Sequence, residues 1–314
     1  MDTVPVVPVA SVVVLVNASA GLRAGVALEP DALASAFDDV GVKAAVDVVD
    51  PQRIPSTVGI LWAGADRPDA VIVAGGDGTV SHAAAAVVGT DVVLGVLPIG
   101  MFNHFAQQLG IPLDLGAAVR ALAAADAVAV DVGEVNGRTF VNQTVLGTDP
   151  KLLQVMDRIQ TGQGWGRIRS ALAGSVRVMG QVPTSRVDLQ APGGVSRRGL
   201  RTPLVLVGNG SHRRGITGAT ALESLTDGAL DLTVARSRSR WALVEAGWRA
   251  ARSGSDALPE IDTIAVPELT ITARSRTVRV GVDGEAEVLR SPLRFRVRHQ
   301  ALHVLVPPGP TAGA

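Results

Sequence analysis

Three absences limit what this chain can be before any motif is considered. It contains no cysteine in 314 residues, so we predict neither disulfides nor thiolate metal sites. It has no apolar run of transmembrane length. The run from Val4 to Val16 is short, is interrupted by prolines and has no basic flank, so we expect a buried first strand rather than a signal peptide or an anchor. Lysine occurs only as Lys43 and Lys151, outside any G-x-x-x-x-G-K-[ST] pattern, which excludes a P-loop.

The length and composition indicate a globular protein of two domains. A chain of 314 residues with 47% hydrophobic residues has enough apolar material for two cores. Its net charge of zero hides a split, because residues 1–150 carry 6 basic and 16 acidic side chains whereas residues 151–314 carry 23 and 13. The basic second half could meet anionic lipid headgroups, or the two halves could simply attract each other. The sequence leaves both explanations open.

One stretch, residues 70–106, carries the strongest local pattern. A β-branched run ends at the glycine loop, Gly75-Gly76-Asp77-Gly78-Thr79, and an alanine-rich segment follows, which predicts strand, tight loop and helix. Three glycines in four positions allow the backbone to take positive φ and to come close to a bulky anion, which the first helical N–H groups would also face. The alternative is a glycine-rich turn that binds nothing. A dinucleotide fingerprint is excluded, because Ser81 stands where its third glycine is needed.

The same stretch resembles the catalytic domain of the diacylglycerol kinase family, which includes bacterial lipid kinases and sphingosine kinases. The likeness rests on the glycine loop followed by Pro98-x-Gly100-x-x-Asn103-x-x-Ala106. The second motif is the more specific, because NAD kinases and phosphofructokinases carry similar glycine loops. A loop that helps to hold the nucleotide in this family is matched by Asn17 and, more loosely, by Ser19. The resemblance therefore implies an ATP site formed by Asn17, Ser19, Gly75, Gly76, Asp77, Gly78, Thr79 and Asn103.

Two kinds of pattern divide the chain into domains. Alternating strands and helices up to about residue 130 predict an α/β domain with a doubly wound, mostly parallel sheet. Short strands separated by turns then predict a mostly antiparallel, β-sandwich-like domain, with helical interruptions at about 152–176 and 240–252. We assign 1–130 to nucleotide binding, 131–308 to the lipid substrate and 309–314 to a disordered tail. Ligands of parallel sheets bind beyond the carboxyl ends of the strands, where both glycine motifs would lie.

Two acidic motifs stand out in the second domain, Asp227-Gly228-Ala229-Leu230-Asp231 and Asp283-Gly284-Glu285. Asp-Gly pairs are common in β-hairpin turns, so each motif alone is weak evidence for a catalytic or metal site. The family carries both, and the resemblance implies that Asp283 is the general base for the lipid hydroxyl and that Glu285 supports the metal. It also implies that Asp227 holds a structural Mg²⁺ and that Asp77 positions metal-bound water and phosphate. The likeness extends to Phe140-Val141-Asn142, Leu146-Gly147 and Val207-Gly208-Asn209.

The resemblance implies an ATP- and Mg²⁺-dependent kinase that transfers the γ-phosphoryl group to a hydroxyl of a diacylglycerol-like or sphingoid lipid. Met101 replaces a threonine of the family pattern and His82 replaces a glutamate. These departures keep a second hypothesis open, a degenerate relative that binds lipid or nucleotide without turnover. A third hypothesis, NAD kinase, shares the glycine loop but not the Gly100–Asn103 and Asp283–Glu285 motifs. The sequence does not name the lipid.

The expected partner is a lipid at a membrane surface, contacted peripherally by a cytoplasmic protein; we expect no nucleic acid partner. Trp241 and Trp248 lie beside Arg240 and Arg249 on a predicted amphipathic helix. They could touch a membrane interface or serve only as packing residues. Whether the protein forms a homodimer stays open.

Overall fold

The chain folds into two compact units. The computed structural model describes residues 9–18, 29–100, 102–146, 185–202, 204–210, 225–235 and 261–308. Among these, the first unit contains the residues up to 132 together with 225–227 and 298–308, and the second contains the others up to 297. The last strand therefore contributes residues to both units. The sequence pattern predicts two strands here, Leu293–Val297 and Ala301–Val306, both in the domain of residues 131–308, whereas the structure has one strand, Leu293–Val306, that crosses the boundary.

The first unit contains a parallel sheet whose strands alternate with helices. Its strands are β1 (Ser11–Asn17), β2 (Lys43–Val49), β3 (Ala70–Gly75), β4 (Val93–Pro98), the start of β5 (Asp126–Val135) and the end of β16 (Leu293–Val306). Its helices are α1 (Pro30–Asp38), α2 (Ile54–Ala63), α3 (Asp77–Val87), α4 (His104–Gln108) and α5 (Leu115–Ala123), with a 3₁₀ turn at Pro51–Arg53. The strand order is β2-β1-β3-β4-β16, and each of these pairs is parallel. The predicted parallel α/β sheet is confirmed.

The strand β3 lies between β1 and β4 in this sheet. All six of its residues are buried, and a continuous run of Ala, Val, Ile and Gly suits a strand covered on both faces. In register, Val16 lies opposite Ala74, and Ala74 lies opposite Leu97. The carboxyl ends of β1, β3 and β4 therefore meet at one edge of the sheet, which is where ligands of such sheets bind.

The helices of the first unit begin where the sequence provides a start signal. Pro30 occupies the first turn of α1 with Asp31 beside it, and the helix buries Leu33 and Phe37. At α5 the carboxylate of Asp114 accepts a hydrogen bond from the N–H of Ala117 at 2.9 Å. Among the described residues, no helix has both the length and the apolar character needed to cross a bilayer.

The second unit is antiparallel. Its strands are β6 (Arg138–Phe140), β7 (Gln143–Leu146), β8 (Ser185–Ala191), β9 (Val195–Thr202), β10 (Val205–Asn209), β11 (Leu230–Ala235), β12 (Ile261–Val266), β13 (Glu268–Ala273), β14 (Thr277–Val282) and β15 (Glu285–Arg290), with the start of β16. One layer has the order β12-β11-β10-β7-β14-β15, and the other has β16-β13-β8-β9. Apolar residues of both layers share one core, including Val207, Val280, Ile271 and Phe295. The predicted sandwich-like domain is confirmed.

Several predicted elements of the second domain need correction. The sequence pattern predicts one strand over Arg138–Val145, but the structure has two, β6 and β7, because the backbone turns at residues 141 and 142. The strands β9, β12 and β15 were not predicted; β9 is rich in arginine and gives no apolar signal, and it forms by pairing with β8. The predicted helices at 152–176 and 240–252, the tail at 309–314, Ser19 and Met101 lie outside the described residues.

Candidate functional site

The first group of predicted site residues lies where β1 and β3 end. Asn17, the last residue of β1, is 8% exposed, and its Nδ2 donates a hydrogen bond to the Oγ1 of the buried Thr79 at 2.6 Å. Thr79 stands in the first turn of α3. This bond therefore fixes the end of the first strand against the start of the helix that follows the third.

The glycine loop is shorter than the sequence suggested, because α3 already begins at Asp77. The loop does not use the positive φ that glycine permits: Gly75, Gly76 and Gly78 all lack it, and Gly76 has φ −93°. Glycine is needed here because there is no room for a side chain, and not because of the backbone conformation. A Cβ on Gly75 would lie 2.6 Å from the Cβ of Thr79, so a side chain at that position would collide with the helix.

The glycine loop packs directly against the loop that follows β4. A Cβ on Gly76 would lie 3.3 Å from the Cα of Gly100, and a Cβ on Gly100 would overlap the Cα of Gly76. The N–H of Ile99 donates to the carbonyl of Gly75 at 3.4 Å, which adds a second link. The two motifs quoted for the family resemblance therefore pack against each other. Their backbones come so close that each loop needs a glycine at the contact.

Asn103 holds the second loop in shape. It adopts the left-handed conformation, with φ 56° and ψ 42°, and is 8% exposed. Its Oδ1 accepts from the N–H of Gly100, and its Nδ2 donates to the carbonyl of the same residue, both at 2.9 Å. Asn103 was predicted to hold a nucleotide, and in this geometry it would do so by fixing the backbone of its loop.

Asp77 joins the two loops electrostatically. Its Oδ1 accepts a hydrogen bond from the N–H of Phe105 at 3.3 Å, at the start of α4. The half-buried carboxylate thus lies at the N-terminal end of α3 and of α4, where negative charge is favourable. The bond gives Asp77 a structural role in addition to its predicted one with metal-bound water.

The chemistry of this edge suits a phosphate chain. No side chain caps α3, because its N-cap is Gly76, and the first N–H groups of a helix have no acceptor within the helix. Such groups, together with the helix dipole, attract anions. His82 is exposed one turn further on, and its Nδ1 donates to the carbonyl of Gly78 at 2.9 Å. The ring therefore braces the first turn of α3.

Replacing Thr79 by valine should weaken the first unit. Valine keeps the shape but removes the acceptor of the Asn17 amide, and a buried donor without its acceptor costs about 1–3 kcal/mol. We expect the free energy of unfolding in urea to fall by that amount. Thr79→Ser, which keeps the hydroxyl, is the matched control. Equal stabilities for the two variants would show that the bond at 2.6 Å contributes nothing.

The second group of predicted site residues lies in the second unit, at Asp283. This residue follows β14 with φ 46° and is 8% exposed. Its carboxylate accepts three main-chain hydrogen bonds, from the N–H of Val141 at 2.8 Å and from those of Asn142 and Gln143 at 2.9 Å. Asp283 therefore holds the turn between β6 and β7.

Three motifs that are far apart in sequence meet at this turn. The Nδ2 of Asn209 donates to the carbonyl of Val141 at 3.2 Å, and the N–H of Asn209 donates to the carbonyl of Asn142 at 2.9 Å. The N–H of Asp283 donates to the carbonyl of Gln143 at 2.9 Å. The segments at 140–142 and 207–209 had only been quoted as parts of the resemblance. In the structure, both segments contribute to the hydrogen bonds that shape the turn beside Asp283.

The two predicted metal ligands are exposed. Asp227 lies in the turn before β11, next to Gly228 with φ 69°. Glu285 is the first residue of β15 and pairs with Val282. No group of three or more acidic or histidine side chains suited to a metal occurs in the described part of the chain. Mg²⁺ commonly takes only one or two protein carboxylates, with the remaining ligands from carbonyls, water and substrate phosphates, so single acids are a compatible donor set.

Some participants could not be identified from residue type. The N–H of Phe105 and those of residues 141–143 act through the backbone, which leaves no signature in the sequence. Gly100 was part of a quoted motif, but its contact with Gly76 needs the fold. Asn209 could have been recognised from the sequence, because an asparagine at the end of a buried strand is unusual in a core.

A comparison with known protein families finds a match for this part of the chain. Residues 11–135 match the diacylglycerol kinase catalytic domain. The match covers β1 to β5 and includes Asn17, the glycine loop and the Gly100–Asn103 loop. The resemblance inferred from the motifs is confirmed.

Curated relatives share these segments. A protein of Klebsiella pneumoniae (strain 342) named "Probable lipid kinase YegS-like" is 32% identical over 120 residues, which are 34% of this chain and 40% of the relative. "Lipid kinase YegS" of Escherichia coli (strain K12) is 42% identical over 82 residues, 24% of this chain and 27% of the relative. A YegS-like relative from Pectobacterium atrosepticum is 26% identical over 77% of this chain and 79% of its own. The first of these matches thus spans less than half of the relative's length.

A solved structure shares the whole fold. The crystal structure of a diacylglycerol kinase from Bacillus anthracis str. Sterne has a TM-score of 0.63 to this chain and covers 95% of it, with 97% of its own chain matched. The sequence identity is 20%, so this likeness shows the fold alone.

Proposed function

Because residues 11–135 belong to the diacylglycerol kinase catalytic domain family, we propose that this protein is an ATP-dependent lipid kinase. It would transfer the γ-phosphoryl group of ATP to a hydroxyl of a diacylglycerol-like or sphingoid lipid. The lipid would be met at a membrane surface by peripheral contact from a cytoplasmic protein. The curated relatives named as lipid kinases support this class of substrate.

The proposal depends most on one observation, the packing of the glycine loop on the Gly100–Asn103 loop. Glycine loops alone occur in several kinds of kinase. Here Gly76 and Gly100 touch through their backbones, and the bond between Asp77 and Phe105 ties the loops together. The paired motifs distinguish this site from that of an NAD kinase, which would share only the first.

The residues present suit a nucleotide at this edge. The uncapped start of α3 would bind the phosphate chain through main-chain N–H groups. Asn17, Thr79 and Asn103 would keep the surrounding backbone rigid, and the family resemblance adds Ser19 to the nucleotide-binding residues. A bound Mg²⁺ would neutralise charge on the phosphates, with Asp77 as a nearby carboxylate in the first unit.

The acceptor hydroxyl must lose a proton, and Asp283 is the carboxylate that the family resemblance assigns to this step. Its three main-chain hydrogen bonds fix the carboxylate in place but also occupy both of its oxygens, the atoms that would have to accept the proton. Glu285, which is exposed two residues later, is the second candidate and would support the metal. The hydrogen bonds of Asp283 also favour the alternative function, a relative that binds nucleotide or lipid without turnover.

The decisive experiment incubates the pure protein with γ-labelled ATP, Mg²⁺ and a total lipid extract from its source. We expect one labelled lipid class, identified by chromatography and mass spectrometry. Nucleotide binding without any labelled lipid would establish the binding-only alternative. Label transferred to NAD but to no lipid would overturn the proposal in favour of an NAD kinase.

A structural Mg²⁺ at Asp227 makes a separate prediction. Asp227→Ala should lower the melting temperature in Mg²⁺ and remove the dependence of that temperature on Mg²⁺, because a ligand that binds only the folded state stabilises it. Asp66→Ala is the control, since Asp66 is also an exposed turn residue. If the melting temperature of Asp227→Ala still depended on Mg²⁺, Asp227 would not be a metal ligand and would serve only as a turn residue.

A further inference from the structure

A cleft on the second unit contains none of the motif residues discussed above. It has a volume of about 840 Å³, within the range of small-molecule sites. Its floor is the outer side of β13 and β16, and its charged and amide walls include Glu134, Asn136, Glu268, Arg290, Arg294 and Arg296. Three arginines and two glutamates give it a net positive charge.

The charges of the cleft are separated along its length. At one end, Arg296 donates from Nε and Nη2 to the Oε1 of Glu134, at 2.9 and 2.7 Å, and these bonds raise the pKa of Arg296. Glu268 lies opposite Arg296 in the register of β13 and β16. At the other end, Arg294 lies opposite the uncharged Thr270. The acidic side chains are therefore concentrated at the Arg296 end.

Arg290 and Arg294 are exposed and are not neutralised. Within the residues that the structure describes, neither guanidinium forms a salt bridge or a side-chain hydrogen bond. Exposed arginines are common, and by themselves they would indicate only a solvated surface. What distinguishes these two is that they line a cleft and that their backbones are fixed.

Asn136 fixes both arginines. Its Nδ2 donates to the carbonyl of Arg290 at 2.8 Å and to that of Pro292 at 3.3 Å, and its Oδ1 accepts from the N–H of Arg294 at 2.8 Å. The N–H of Asn136 also donates to the carbonyl of Arg294 at 3.1 Å. One amide thus clamps the turn that carries both arginines, so the backbone of this turn has little conformational entropy left to lose when a ligand binds.

We propose that this cleft binds an organic phosphate, with Arg290 and Arg294 on the phosphate group and the rest of the cleft against its carbon skeleton. A guanidinium donates two parallel hydrogen bonds to phosphate oxygens, and such charge-assisted pairs are stronger than neutral ones. Thr270 and Gln190, which pair in register beside Arg294, offer uncharged groups to ester oxygens and hydroxyls. The site is independent of the proposed kinase activity.

The same chemistry has two sources, a soluble phosphate ester or the headgroup of an anionic lipid. Titration calorimetry with glycerol 3-phosphate tests the first. Sedimentation with phosphatidylcholine vesicles, with and without phosphatidic acid, tests the second. Binding in only one assay identifies the source, and binding in both means that the cleft accepts the phosphate in either context. A parent protein that binds neither probe would overturn the proposal.

Two matched variants show whether the cleft is responsible. Arg290→Ala/Arg294→Ala should weaken binding roughly tenfold or more, because each arginine contributes on the order of 1 kcal/mol near an anionic surface. Arg197→Ala/Arg198→Ala removes two exposed arginines of β9 that do not line the cleft, and it should keep binding within about twofold. Equal losses in the two variants would mean that only general positive charge matters. Melting curves check that both variants are folded.

Discussion

Asp283→Asn should bind nucleotide as the parent does but phosphorylate lipid about 10²- to 10⁴-fold more slowly, if Asp283 takes the proton of the acceptor hydroxyl. The substitution keeps the size of the side chain and removes the charge. Turnover and nucleotide affinity should both be measured at saturating Mg²⁺. Parental turnover in this variant would rule Asp283 out as the base.

The structure adds a second consequence of the same substitution. An asparagine can present only one acceptor oxygen to the three N–H groups of residues 141–143, so its amide group would face a donor. The free energy of unfolding should fall by about 1–3 kcal/mol, and activity must be compared at a temperature where the variant is folded. Glu285→Gln tests the other carboxylate of the motif, which is exposed two residues later and is proposed to support the metal. A loss of turnover in Glu285→Gln, with little in Asp283→Asn, would show that the reaction needs the carboxylate of Glu285 and not that of Asp283.

Gly100→Ala should separate the two loops and weaken nucleotide binding by roughly tenfold or more. Its Cβ would overlap the Cα of Gly76 and lie 2.8 Å from the Oδ1 of Asn103. These neighbours are backbone and a hydrogen-bonded amide, which cannot move aside as the end of a flexible side chain can. Overpacking of this kind costs about 1–3 kcal/mol, and every 1.4 kcal/mol lost from binding is about tenfold in affinity.

The matched control for this prediction is Gly116→Ala in α5. A Cβ on Gly116 would lie 3.5 Å from Nη1 of Arg120 and 3.6 Å from Oδ1 of Asp114, which are ordinary contacts. Alanine also favours a helix over glycine by about 1 kcal/mol, so this variant should be at least as stable as the parent. Unchanged affinity for ATP analogues in Gly100→Ala would mean that the packing of the loops does not shape the nucleotide site.

The first unit was predictable in most respects. The buried run at β3 and the start signals of α1 and α5 are local, so the sequence places these elements to within a residue or two. The arginine-rich β9 was missed, because it forms by pairing with β8 rather than from its own propensity.

The candidate site was also predictable only in part. The sequence shows which residues are glycines but not why, because glycine permits both positive φ and close packing. In the structure the reason is the close approach between Gly76 and Gly100. The role of Asp283 could be guessed only by resemblance. Its three hydrogen bonds come from backbone about 140 residues away, which no local pattern can reveal.

The sequence by itself determined the alternation of strands and helices, the antiparallel second half and the two loops that carry the resemblance to the diacylglycerol kinase catalytic domain. These features follow from short-range rules on periodicity, turn residues and helix starts. Only the tertiary structure decided which hydrogen-bonding groups meet: the side chains of Asn17 and Thr79, the carboxylate of Asp77 with the N–H of Phe105, and the amide of Asn136 with the turn of Arg290 and Arg294. Every residue except proline has the same main-chain donor and acceptor, so which backbone group a polar side chain reaches is set by how the strands are brought together and not by residue type.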